Sequence, residues 1–158
     1  MQSPLGELRI VASALGVVAV LWPRKELTRE AGFEIHRMDD DATLREAIRQ
    51  LREYFAGRRR SFELDIDYNG TAFQTKIWKT IATIPYGELR TYGETALLIG
   101  SPRAARAVGT AIGANPIGIV VPDHRVVGAG GQLSGSAAGK AARLMLFEFE
   151  RGVVRQKR

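Results

Sequence analysis

Asp123, His124 and Arg125 place an acid, a titratable imidazole and a guanidinium side by side in a chain of 158 residues that has two histidines and no cysteine. The triplet follows an apolar run, Ile117 to Val121, ended by Pro122. The β-branched residues of that run predict a short buried strand, and proline, which cannot donate to a ladder, predicts its end. Three polar groups delivered from an apolar wall need partners or a purpose, because burial without hydrogen bonds costs roughly 2–7 kcal/mol per group. The lack of cysteine excludes disulfides, thiolate metal sites and a thiol nucleophile. With His36 and His124 far apart, neither a zinc site nor any other cofactor is expected.

The elements that must position the triplet follow from periodicity. Leu5 to Ala12 and Leu15 to Trp22 are apolar-rich runs split by Ser13-Ala14, the pattern of a β-hairpin. Phe33 to Met38 suggests a third strand carrying His36. Asp41-Ala-Thr43 caps a predicted helix with apolar positions at Leu44, Ala47, Ile48, Leu51, Tyr54 and Phe55, stopped by Gly57. Arg58-Arg-Arg60 then reads as a solvated helix end before it reads as a nucleic-acid patch. Ser61 to Asn69 reads as a connector.

Thr71 starts a second helix through Phe73, Ile77, Trp78 and Ile81, stopped by Pro85-Tyr-Gly87. Thr91 caps a third, Gly100-Ser101 turns the chain, and Pro102 opens a fourth over Arg103 to Ile112, built of small residues with Arg103 and Arg106 projecting. This helix-turn-helix is compatible with DNA binding and equally with a generic helical pair. Gly128 to Gly131 lacks the spacing of a phosphate loop. Lys140 to Glu150 is a closing helix, and 153–158 a basic tail.

Composition sets the class. With 45% hydrophobic and 25% charged residues the chain reads as an ordinary soluble globular protein. Its length suits one moderate domain or two small ones. A net charge of +6 suits a polyanionic partner and suits a solvated basic surface as well. No stretch approaches the roughly 20 apolar residues of a membrane span. Met1-Gln-Ser-Pro-Leu-Gly lacks the charged and apolar regions of a secretory signal, so a cytoplasmic location is expected.

Six fragments in order carry a resemblance: Phe73-Gln74 with Ile77-Trp78, Ile84-Pro-Tyr-Gly-Glu88, Thr91-Tyr-Gly-Glu94, Ala104-Ala-Arg-Ala-Val-Gly109, Asn115-Pro116, and Pro122-x-His-Arg-Val126. The chain resembles the O6-alkylguanine-DNA alkyltransferases, whose site reads Pro-Cys-His-Arg-Val. The resemblance implies an α+β fold: a ribonuclease H-like β-sheet and helix domain over 1–68, then a helical domain with a winged helix-turn-helix over 69–152. It also implies a monomer whose partner is double-stranded DNA carrying O6-alkylguanine.

By that resemblance the second helix of the pair enters the minor groove, where Ala105 and Gly109 permit close approach and Arg103 and Arg106 meet DNA. Arg106 would fill the gap left by a rotated-out nucleotide, and Tyr92 would drive the rotation and line the base pocket with Asn115, Val126 and Ser136. His124 and Glu150 would form the relay that deprotonates the nucleophile, and Arg125 would pair with a carboxylate or carbonyls. Ser136 stands where a pocket tyrosine is usual and Gly118 where a proline is common, which implies a roomier site.

Asp123 stands in the place of the family cysteine. A carboxylate is a poor nucleophile towards an alkyl carbon, and an ester formed there would be open to hydrolysis. The leading expectation is therefore an alkyltransferase-like recognition protein that flips O6-alkylguanine, holds it and signals to nucleotide excision repair proteins. An enzyme in which Asp123 is a natural or engineered replacement of cysteine is the alternative. A DNA-binding module with a vestigial pocket is the third, and the presence of Tyr92, Arg106, Asn115 and His124 argues against it.

Overall fold

The computed structural model of the chain describes residues 1–23, 40–133 and 135–156. The chain divides into two compact units, Met1–Asn69 and Gly70–Arg158. The expected strand over Phe33–Met38, with His36, lies outside the described residues.

In the first unit β1 (Gln2–Ser3) and β2 (Gly6–Glu7) form a minimal antiparallel ladder. β3 (Arg9–Ser13) pairs antiparallel with β4 (Gly16–Leu21), with a register shift between Val11 and Ala12. Every residue of β4 is buried, which a half-exposed hairpin strand would not be. Along its edge lies a second neighbour that the sequence pattern hides. Val17 bridges Ile66 in parallel, Val17 N donates to Asp65 O at 2.9 Å, and Asp67 N donates to Val17 O at 3.0 Å. Residues 65–67 are thus not merely a connector but flank β4 on its free side.

Helix α1 (Ala42–Phe55) starts where Asp41 accepts from Leu44 N and closes before Gly57 at φ +69°. Its buried residues Ala47, Gln50, Leu51 and Tyr54 recur at three and four and face β3 and β4.

The second unit holds α2 (Ala72–Ile81), β5 (Arg90–Thr91), α3 (Tyr92–Leu98), α4 (Ala105–Gly113), a 3-10 turn at Asp123–Arg125, β6 (Val126–Val127) and α5 (Ala137–Gln156). Both α2 and α3 begin with reciprocal capping boxes, Thr71 with Gln74 and Thr91 with Glu94. Helices α2, α3 and α4 pack on one another. Buried Trp78 Nε1 donates to Ala111 O at 2.9 Å, and Lys76 Nζ donates to Ile99 O at 2.9 Å, which joins the three by polar bonds as well as apolar contact.

Several expected boundaries shift. Helix α2 ends at Ile81, and its Phe73 is 38% exposed rather than core. Helix α4 begins at Ala105, so Pro102 and Arg103 sit in the preceding turn. Helix α5 continues to Gln156, taking up most of the stretch expected as a basic tail. No helix among the described residues is long and apolar enough to cross a membrane.

Gly16 shows why β4 needs glycine at its entry. Its φ is +143°, and a Cβ there would collide with the Asp65 carbonyl, 2.6 Å from the carbon. Gly16→Ala is expected to destabilise the protein by about 2 kcal/mol or more, read as a lower urea midpoint, through strain and loss of the 65–67 pairing.

Candidate functional site

The approach to the triplet is a tight turn, not the strand expected over Ile117 to Val121. Val121 N donates to Ile117 O and Val120 N to Gly118 O, both at 2.9 Å. Buried Ile119 takes φ +74°, a left-handed conformation that costs a β-branched residue about 1–3 kcal/mol. Asn115 holds this turn shut. Its Oδ1 accepts from Ile117 N at 3.0 Å while its Nδ2 donates to Val121 O at 3.0 Å, so one fully buried amide clasps both ends of the turn. Beyond Pro122 the 3-10 turn leads into β6, whose Val126 and Val127 pair in parallel with Arg90 and Thr91 of β5. The strand that carries the triplet is thereby aligned with the entry to α3.

All three residues of the triplet are buried, Asp123 and His124 to within 1%. Their partners come from α5. Glu150, itself fully buried, accepts four hydrogen bonds. Oε1 meets His124 Nε2 at 2.7 Å and Arg125 Nη2 at 2.8 Å; Oε2 meets Arg125 Nε and Gly87 N, each at 2.9 Å. Arg125 Nη1 also donates to Ile84 O at 2.6 Å, and its guanidinium lies 5.5 Å from the centre of the Tyr86 ring. Gly87 is at φ +79°, a position that favours glycine, which lets its N–H face the carboxylate.

Burial alone would raise the pKa of Glu150, but the hydrogen bonds from His124 and Arg125, and then their charges, outweigh it and bring the carboxyl from 4.5 down to about 2. An ionised carboxylate only accepts, so His124 Nε2 carries the proton in that bond. The other ring nitrogen, Nδ1, has no hydrogen-bond partner among the described residues. In the neutral ring it is a bare acceptor.

Asp123 takes its cation from elsewhere. The sequence points to His124 and Arg125 as the charges beside it, but both are engaged by Glu150. The partner is Arg143 of α5, whose Nε and Nη2 donate to Asp123 Oδ2 at 3.2 and 3.1 Å. Arg143 is 5% exposed, and a Cβ on Gly135 would sit 3.2 Å from its Nη1. The remaining carboxylate oxygen, Oδ1, is buried without a hydrogen-bond partner among the described residues. Sequence reading missed Arg143. The available signal was its spacing, seven residues before Glu150 on one helix and hence on the same face.

The remaining candidates form an outer set. The Tyr92 ring opens α3 and lies over Gly109, 3.6 Å from where a Cβ would stand. Ala105 and Gly109 are partly exposed on α4, while Arg103 and Arg106 are exposed. Val126 is buried in β6. Ser136 is exposed, and its Oγ accepts from Gly139 N at 3.2 Å, the bond of a helix cap at the start of α5. Among the described residues no group of three or more His, Cys, Asp or Glu could hold a metal ion.

A helix-turn-helix unit whose buried Pro-x-His-Arg turn is wired to a glutamate on its last helix defines a class, and the profiles of known families bear it out. The 6-O-methylguanine DNA methyltransferase, DNA binding domain, matches residues 72–152, and the ribonuclease-like domain of the same family matches residues 1–68. The chain belongs to the 6-O-methylguanine DNA methyltransferase family, with the α+β fold expected of it and with Asp123 where the family has cysteine.

It is 44% identical to the methylated-DNA–protein-cysteine methyltransferase of Mycobacterium tuberculosis over 151 residues, spanning 96% of this chain and 90% of that protein. It is 49% identical to the enzyme of the same name from Methanosarcina acetivorans over 149 residues, 94% of each chain. The crystal structure of Mycobacterium tuberculosis OGT in complex with DNA is similar with a TM-score of 0.85 at 41% identity, covering 97% of this chain and 92% of that one.

Because Glu150 is held at about 2 in the fold against 4.5 ordinarily, its stabilisation is complete above the ordinary value and is lost as pH falls through the lowered one. Urea unfolding from pH 5 down to about 2 should show a loss of about 3 kcal/mol from this group. Glu150→Gln should remove that part of the slope and lower stability at neutral pH, since it strands the Arg125 charge.

Proposed function

We propose that this protein is an alkyltransferase-like DNA-damage recognition protein. It binds duplex DNA through the minor groove with α4, rotates O6-alkylguanine into the site beside Asp123–Arg125, and holds it without transferring the alkyl group. The observation that carries this reading is the state of position 123. A carboxylate, with one oxygen engaged by two N–H groups of Arg143, stands where the named activity of the relatives calls for a cysteine.

Transfer to it would need a hard oxygen to displace guanine from an alkyl carbon. The frame around the absent thiol remains, with Glu150 orienting His124 and Nδ1 left as an acceptor. A site that keeps its frame and loses its nucleophile retains the means to bind.

The outer residues suit the DNA step. Small Ala105 and Gly109 permit close approach of α4, and the exposed cations Arg103 and Arg106 offset phosphate charge. Arg106 fills the space of the extruded base, and Tyr92, stacked on Gly109, stands at the N-terminus of α3 to crowd the phosphate and meet the base edge with Asn115 and Val126 behind it. Ser136 borders the same pocket while capping α5. In this reading the protein acts as a monomer in the cytoplasm and hands the marked site to nucleotide excision repair proteins.

The similarity across both units to proteins named as methyltransferases favours a second reading, an alkyltransferase in which Asp123 is a replacement of the nucleophilic cysteine.

Fluorescence anisotropy on duplexes that differ only by one O6-methylguanine should show tighter binding to the damaged duplex, and Arg106→Ala should weaken it. Equal affinity for both duplexes would overturn the first reading. Intact mass after incubation with the damaged duplex should be unchanged; a gain of one methyl group, or recovery of guanine in the DNA, would favour the second.

A further inference from the structure

Two adjacent buried residues leave an acceptor unmatched. Among the described residues Asp123 Oδ1 has no hydrogen-bond partner while Oδ2 is tied to Arg143, and His124 Nδ1 has none while Nε2 is tied to Glu150. What Asp123 Oδ1 lacks is a donor, because a carboxylate cannot donate, and an imidazole whose one proton faces Glu150 leaves Nδ1 as an acceptor too. Buried acceptors without donors are disfavoured, so a ligand that supplies one gains affinity over an isostere that does not.

Position 123 is where the relatives' cysteine would meet the carbon bonded to O6, so the atoms just beyond that carbon lie within reach of Asp123. A methyl or propyl end leaves Oδ1 as it is. A hydroxyl end donates to it. An anionic end sets one carboxylate against another, with Arg143 already engaged.

We propose that Asp123 selects among O6-alkylguanines for adducts that end in a hydrogen-bond donor, hydroxyalkyl groups above all, over plain alkyl groups of the same size and over carboxyalkyl groups. This rests on the damaged-base reading above and narrows its substrate class. Arg143 serves as a positioning residue: by holding Oδ2 it fixes which oxygen faces the adduct.

The test is anisotropy titration of the full chain with duplexes identical but for one base: guanine, O6-propylguanine, O6-(2-hydroxyethyl)guanine or O6-carboxymethylguanine. The hydroxyethyl duplex should bind about tenfold tighter than the propyl duplex, a difference of about 1.4 kcal/mol. The carboxymethyl duplex should bind more weakly than the propyl one. Asp123→Ala should bring the hydroxyethyl-to-propyl ratio near unity.

Tight binding of both adducts over guanine with no preference between them overturns this inference and leaves damage recognition standing. No preference for any adduct over guanine overturns damage recognition itself. A ratio that survives in Asp123→Ala also overturns the inference. Should that variant not fold, the rank of the carboxymethyl duplex in the unaltered protein decides: binding as tight as the propyl duplex overturns it.

Discussion

The carboxylate of Glu150 is the interaction on which the rest of the second unit depends. It is fully buried and collects four donors from two separate segments, the triplet through His124 and Arg125 and the turn after α2 through Gly87, and so ties both to its own helix α5. An isolated buried carboxylate would be intolerable in an apolar interior. Here its charge is compensated by a guanidinium on two N–H bonds and by a backbone N–H. Replacing such a centre with apolar residues is often neutral for stability in other proteins, so its value in this chain is positional. It sets the tautomer of His124 and fixes the direction of the 3-10 turn that displays Asp123.

Around that centre, strain and clasp are balanced locally. Ile119 sits in a conformation that disfavours its own side chain, and the Asn115 amide holds the ends of the turn that imposes it. The turn brings α4 and the triplet together within a few residues of chain. The parallel pairing of β5 with β6 does the same for the triplet and Tyr92. The buried site and the exposed face of α4 are thus coupled by very short paths.

Much of this was legible in sequence. Asp41, Thr71 and Thr91 stand as caps where their side chains predict, because capping is local chemistry. Family-like fragments place Asn115, His124 and Arg125 in one unit, and the partners expected for Arg125, a carboxylate or carbonyls, are Glu150 and the Ile84 carbonyl.

What was not legible depends on contacts distant in sequence. β-Branched residues from Ile117 to Val121 read as strand, yet the Asn115 clasp overrides propensity. Residues 65–67 carry no strand pattern of their own but meet the free side of β4. The Asp123–Arg143 pair joins residues 20 apart with no motif between them. Propensity had nothing to say about it; only the helical phase of Arg143 and Glu150 did.

That phase has a consequence for how α5 docks. Two turns apart on one face, the helix offers a cation to Asp123 and an anion to His124 and Arg125, like a plug with two pins of opposite polarity. A slide of one residue turns the helix by about 100° and withdraws both pins at once. Reversing the helix would bring each charge against its like. The last helix is therefore keyed as well as packed: seated wrongly, it leaves Asp123 and Arg125 buried without their counter-charges.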